Sequence, residues 1–129
     1  MELQQGVRAE VEELVTEERT ARALGSGGLP VYSTPSMIAL MEKASLNAVA
    51  EYLPAENSTV GTALNVKHNA ASPLGALIKA AGTLKEIDGR RLVFEVRAWD
   101  KNGIIGEGTH ERFIIDDKKF MAKTNLKAV

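Results

Sequence analysis

Hydrophobic and polar positions recur with two different periods along this chain, and the change of period divides it. From residue 34 to about residue 52 the spacing is helical. Ile38, Met41, Ser45, Leu46, Val49 and Tyr52 make one broad stripe, with Lys43, Asn47 and Glu51 opposite. Thr34 suits the N-cap of this helix, Pro35 its first helical position, and Pro54 lies just past its end. Period two then takes over. Residues 59–68 alternate and place Val60, Thr62, Leu64, Val66 and His68 on one face. Residues 77–87 predict a second strand, and an Asp-Gly turn leads into residues 91–100, where Leu92, Phe94, Val96 and Ala98 share a face. An Asn-Gly turn precedes a further strand over residues 104–115, and the basic tail from Lys118 predicts a last strand or a turn of helix.

Ahead of the long helix the pattern fits two elements. Val7, Val11, Leu14 and Val15 match a helical stripe, while Val7, Ala9, Val11 and Val15 match a strand face interrupted by Glu13. Periodicity favours the helix slightly. Gly25-Ser26-Gly27-Gly28, followed by Leu29-Pro30, predicts a flexible loop. It lacks the Gly-Lys-Ser/Thr ending of a phosphate-binding loop, so a mobile lid is the expectation there. One largely apolar helix and a run of meander strands predict an α+β fold in which an antiparallel sheet wraps around the helix.

Composition narrows the picture. The 129 residues fit a single domain, residues 1–129, with no internal repeat, and 44% hydrophobic with 26% charged residues is ordinary for a soluble globular protein. A net charge of −1 without any block of like charges argues against a nucleic-acid partner. The absence of cysteine excludes disulfides, zinc–thiolate sites and cysteine nucleophiles. Two histidines make a His-rich metal site unexpected, so neither metal nor cofactor is anticipated. No stretch nears 18 apolar residues and the N-terminus has no run of signal-peptide length; no membrane partner and a cytoplasmic location are expected.

Three residues stand out against these patterns. Glu42 falls inside the apolar stripe, where a carboxylate is costly unless paired, or else reaches solvent or a structural cation. His68 ends an apolar strand face, a place that suits a hydrogen-bonded core histidine or a catalytic one. Thr34, by itself, is an N-cap. Taken together they supply a hydroxyl, a carboxylate two turns on, and an imidazole on the sheet face the helix covers, a nucleophile and acid/base set expected to converge in one pocket. Gly61 admits a bulge or the close approach of a ligand. His110 and Arg112 share one face of their strand with Glu111 on the other, and Gly106 and Gly108 let something approach it closely.

Three ordered stretches, "VYSTPSMIALMEKASLNAVAEYL", "GTALNVKHNAASPLG" and "GEGTHERFII", resemble the fluoroacetyl-CoA thioesterase-like family of hotdog-fold proteins over residues 31–123. The resemblance implies a hotdog fold, a long central helix wrapped by a curved antiparallel sheet, and a strand at the N-terminus in place of the helix. It implies hydrolysis of a small acyl-CoA thioester at a homodimer interface, or in a tetramer, with CoA as part of the substrate and no cofactor. It assigns catalysis to Thr34, Glu42 and His68, and substrate contact to Gly61 and Arg112. Before the helix the family's fluoroacetate-specific member carries a longer aromatic lid. The compact "ALGSGGLPVY" here holds one aromatic residue, Tyr32, as its counterpart toward the substrate, which argues against fluoroacetyl selectivity but leaves thioester hydrolysis untouched. A non-catalytic acyl-CoA-binding module, or a hydratase using a His/Asp pair, is the alternative on the same fold.

Overall fold

In the computed structural model, which describes residues 2–128, the chain forms one antiparallel sheet with a helix packed across it. The strands are β1 (Arg8–Leu14), β2 (Asn57–His68), β3 (Leu77–Asp88), β4 (Arg91–Asp100) and β5 (Gly103–Asp116), in spatial order β1-β3-β4-β5-β2. A short helix α1 (Ala21–Leu24) precedes the long helix α2 (Thr34–Ala50), and α3 (Asp117–Asn125) closes the chain. The fold is α+β, as the sequence pattern predicts.

The N-terminal segment is a strand. Val7, Ala9 and Val11 pack on the core while Leu14 faces solvent, opposite to what a helical stripe requires. Pairing explains the choice: residues 8–14 hydrogen-bond along β3 from Thr83 to Leu77, covering an edge that a helix leaves open. The tail takes the helical alternative, capped by Asp116 accepting from the Lys119 amide at 3.0 Å.

The cap of α2 is Ser33, not Thr34. Its hydroxyl oxygen accepts from the Ser36 amide at 3.1 Å, and Thr34 is the first helical residue. The buried face of α2 is also turned from the predicted stripe. Met37, Leu40, Met41, Ala44, Ser45, Ala48 and Val49 are buried, mainly against β1 and β3. Ser45 belongs there because Gly82 on β3 admits it: a Cβ at Gly82 would lie 2.9 Å from the Ser45 backbone. Ile38, Glu42 and Leu46 therefore run along the margin of the buried face, on the side of β2.

β2 is an edge strand whose residues 61–65 are exposed. It carries a bulge: Gly61 pairs with Arg112 and Ala63 with Glu111, leaving Thr62 as the extra residue. The bulge corrects the predicted face. Leu64, Val66 and His68 do lie with the core residues Phe94, Val96 and Ala98, but Thr59 and Gly61 join them instead of Val60 and Thr62.

Candidate active site

The side chains singled out by the sequence form two groups. The first lies where α2 begins and β2 ends. Thr34 Oγ1 and His68 Nδ1 are 2.8 Å apart. His68 Nε2 is buried without a hydrogen-bond partner among the described residues. Burial pushes the His68 pKa below its ordinary 6.5; the Ala70 backbone opposes this but forms no hydrogen bond of ordinary geometry to Nε2. The Tyr32 ring stands edge-on to the imidazole, centroids 6.5 Å apart, and its hydroxyl donates to Glu13 Oε2 at 2.7 Å. Burial and then the Glu13 carboxylate push the phenol far above its ordinary pKa, so it stays a neutral donor. A cleft of about 220 Å³ opens over this group between His68, Thr34 and the segment Ala21–Val31. That segment is pinned at its base: the Ala21 amide donates to the Val31 carbonyl at 2.8 Å, and the Arg22 amide to Leu29 at 3.1 Å. It is a wall of the cleft rather than a loop free along its length.

The second group lies over Gly61. Arg112 is buried, and Nη1 approaches Glu42 Oε2 to 3.8 Å. Its Nε donates to Thr59 Oγ1 and its Nη2 to the Thr59 carbonyl oxygen, both at 2.8 Å. Burial lowers the Arg112 pKa and Glu42 opposes that; a guanidinium stays charged regardless. Glu42 itself is 38% exposed, at the margin of the helix face and not within its core. A Cβ at position 61 would meet Glu42 Oε2 at 2.8 Å and Arg112 Nη1 at 3.4 Å, so only glycine lets these groups close over the strand.

The single chain does not bring the two groups together. Gly61 and His68 are seven residues apart on one extended strand, roughly 20 Å at the rise of a β-strand. Thr34 and Glu42 are about 12 Å apart along the axis of α2 at 1.5 Å per residue. Among the described residues no hydrogen bond or ion pair joins Glu42 to Thr34 or His68.

A family model described as fluoroacetyl-CoA-specific thioesterase matches residues 15–118. The chain belongs to the fluoroacetyl-CoA-specific thioesterase family. A fluoroacetyl-CoA thioesterase of Streptantibioticus cattleyicolor is 42% identical over 97 residues, covering 75% of this chain and 70% of the relative. A solved structure of the fluoroacetyl-CoA thioesterase FlK superposes with a TM-score of 0.91 at 36% identity, over 98% of both chains. A Thermus thermophilus thioesterase superfamily member superposes at 0.87 with 27% identity, over 95% of this chain and 90% of the other. The fold is thus the hotdog fold, and membership of the fluoroacetyl-CoA-specific thioesterase family makes the chain an acyl-CoA thioester hydrolase.

Thr59 escaped the sequence reading, because a threonine in a strand carries no mark of what it holds. A cleft of about 580 Å³ lies away from both groups, between Leu74, Leu77, Lys79, Trp99 and Lys101. The close approach at Gly106 is made by the protein itself, since a Cβ there would meet Met37 Sδ at 2.5 Å and the Lys67 carbonyl at 2.6 Å. Among the described residues no helix is long and apolar enough to cross a membrane, and no cluster of acidic and histidine side chains suits a metal.

Proposed function

We propose that two copies of this chain hydrolyse a small acyl-CoA thioester between them, with Thr34, Glu42 and His68 as catalytic groups and Gly61, Arg112 and Tyr32 as substrate contacts. The observation that carries this is the pair of half-sites. Thr34–His68, with a buried Nε2 that has no partner among the described residues, and Glu42–Arg112, over a bare glycine, stand at opposite ends of one exposed edge strand. Antiparallel pairing of β2 with the β2 of a second copy brings the His68 end of one strand towards the Gly61 end of the other. It also covers Leu46 and Leu64, which the single chain leaves 37% and 40% exposed.

In this arrangement Glu42 acts as base towards a water that attacks the thioester carbonyl, or as nucleophile to form an anhydride that water then hydrolyses; in either case the thiolate of CoA departs and the acid is released. Thr34 and His68 hold the carbonyl and pass the proton. Few helix amides are left for the oxyanion: Pro35 has no N–H, and the Ser36 and Met37 amides already donate to Ser33. The Thr34 amide, free of an intrachain partner among the described residues, is the one that remains. The modest cleft beside Tyr32 favours a short acyl group, and a variant of FlK has been solved with acetyl-CoA.

Free-thiol release from a panel of short, branched, aromatic and long acyl-CoAs tests the reading. Acetyl-CoA or another short thioester is expected to turn over fastest. Glu42→Gln and His68→Ala are each expected to lower kcat by about tenfold or more while the protein stays folded. Undiminished turnover in either variant removes that residue from the catalytic group.

A further inference from the structure

His110 is fully buried, yet no step above uses it. Its ring lies against Phe94, centroids 6.3 Å apart. Nδ1 is 2.9 Å from the Ala63 carbonyl oxygen, which only accepts, so Nδ1 carries the proton. Nε2 then presents a lone pair, and it faces Arg112 Nη1, which only donates, at 3.1 Å. Both contacts select the same neutral tautomer. Arg112 is held by Thr59 at Nε and Nη2 and by His110 at Nη1, so the guanidinium is fixed on three sides. Nη1 is also the atom nearest the Glu42 carboxylate. A Cβ at position 61 would meet the His110 ring at 3.1 Å as well, so the imidazole, the guanidinium and the carboxylate crowd over one backbone position.

We propose that His110 is a positioning residue: as a buried hydrogen-bond acceptor it fixes Arg112 Nη1, and through it the Glu42 carboxylate, over the Gly61 backbone. The inference deepens the reading above and rests on Glu42 acting on the thioester. Burial, the largest influence, draws the His110 pKa below its ordinary 6.5. Arg112 adds to this, while the Ala63 carbonyl, Glu42 and Glu111 oppose it. A ring kept neutral keeps its lone pair for Arg112 at neutral pH.

Two amide substitutions divide the ring's two bonds. Counted from Cα, the Gln amide oxygen reaches as far as Nε2, and the Asn amide nitrogen as far as Nδ1. His110→Gln therefore keeps the acceptor for Arg112, and His110→Asn keeps only the donor to Ala63. With acetyl-CoA as substrate, H110Q is expected to stay within about threefold of wild-type kcat, and H110N to lose about tenfold or more with a smaller change in KM. A purely structural role through Ala63 gives the reverse order. The reverse order, equal loss in both variants, or undiminished kcat in H110N overturns the inference. E42Q in the same assay separates the two levels: loss in E42Q with none in H110N removes the positioning role and leaves the catalytic reading standing. Nitrogen-15 spectra of the wild-type protein supply a readout independent of turnover and of how the variants fold. The Nδ1–H tautomer of His110 and a sharp, slowly exchanging Arg112 Nε–H are expected. An Nε2–H tautomer, or Arg112 signals averaged by rotation, overturns the inference whatever the kinetics.

Discussion

At Gly61 one added methyl group separates chemistry from stability. Its nearest neighbour would be Glu42 Oε2, the far end of a flexible side chain, which swings aside at little cost. Gly61→Ala is accordingly expected to fold, with stability changed by about 1–3 kcal/mol at most, while kcat falls about tenfold or more because the carboxylate has moved. Denaturant unfolding and thiol release on the same sample check both halves; lost stability with unchanged kcat contradicts the assignment. This residue was legible as a place of close approach, but what approaches it was not. The alternation of residues 59–68 put Gly61 on the outer face, and only the unpaired Thr62 turns it inward beside Leu64 and His68. A bulge is one residue of slack in the register, and hydropathy, which sees both readings as half-apolar, does not encode it. His110 and Arg112 were placed correctly on a common face, yet their mutual hydrogen bond needs side-chain geometry that spacing does not supply.

Among the elements, α2 shows where pattern and packing part. The run Ser33-Thr34-Pro35 offers two capping hydroxyls, and the sequence favoured the one next to proline. The fold uses Ser33 to cap and thereby frees the Thr34 hydroxyl for His68. Ser33→Ala is therefore expected to cost about 1 kcal/mol of stability, whereas Thr34→Ala leaves stability nearly unchanged and lowers turnover. Thermal melts compared with initial rates distinguish the pair, and a Thr34→Ala protein that melts early at full activity reverses the roles. Two faces of the helix overlap in the single stripe that periodicity predicts. Met37, Leu40, Ala44 and Ala48 serve the core, while Ile38, Glu42 and Leu46 run along its margin beside the edge strand. Glu42 is anomalous within a single stripe; it is ordinary for a half-exposed margin beside an edge strand. For β1, local periodicity was outweighed by pairing with β3, a long-range contact that no window of neighbouring residues contains.

For the molecule as a whole, the division of the site makes a prediction about mixtures. E42Q and H68A are each expected to be inactive alone. In a mixed dimer, one of the two sites receives its Glu42 and its His68 from the unmutated positions of different copies. Random assembly from equal amounts then restores about a quarter of wild-type sites. Thiol release measured after co-refolding checks this, with sedimentation confirming a mass of twice 13.9 kDa. No recovery, with the dimer present, places both residues of each site in one chain. The α+β architecture was legible because three hairpin-linked strands and one long helix leave few other topologies, and the family resemblance rested on motifs in the right order. The distance between the motifs in space was not legible. The spacing of His68 and Gly61 along β2 has a kinetic corollary. If neither end of the strand catalyses alone, activity per chain is not constant but rises with the concentration of the chain itself. At high dilution the rate should vary with the square of enzyme concentration, becoming linear only once pairing is complete.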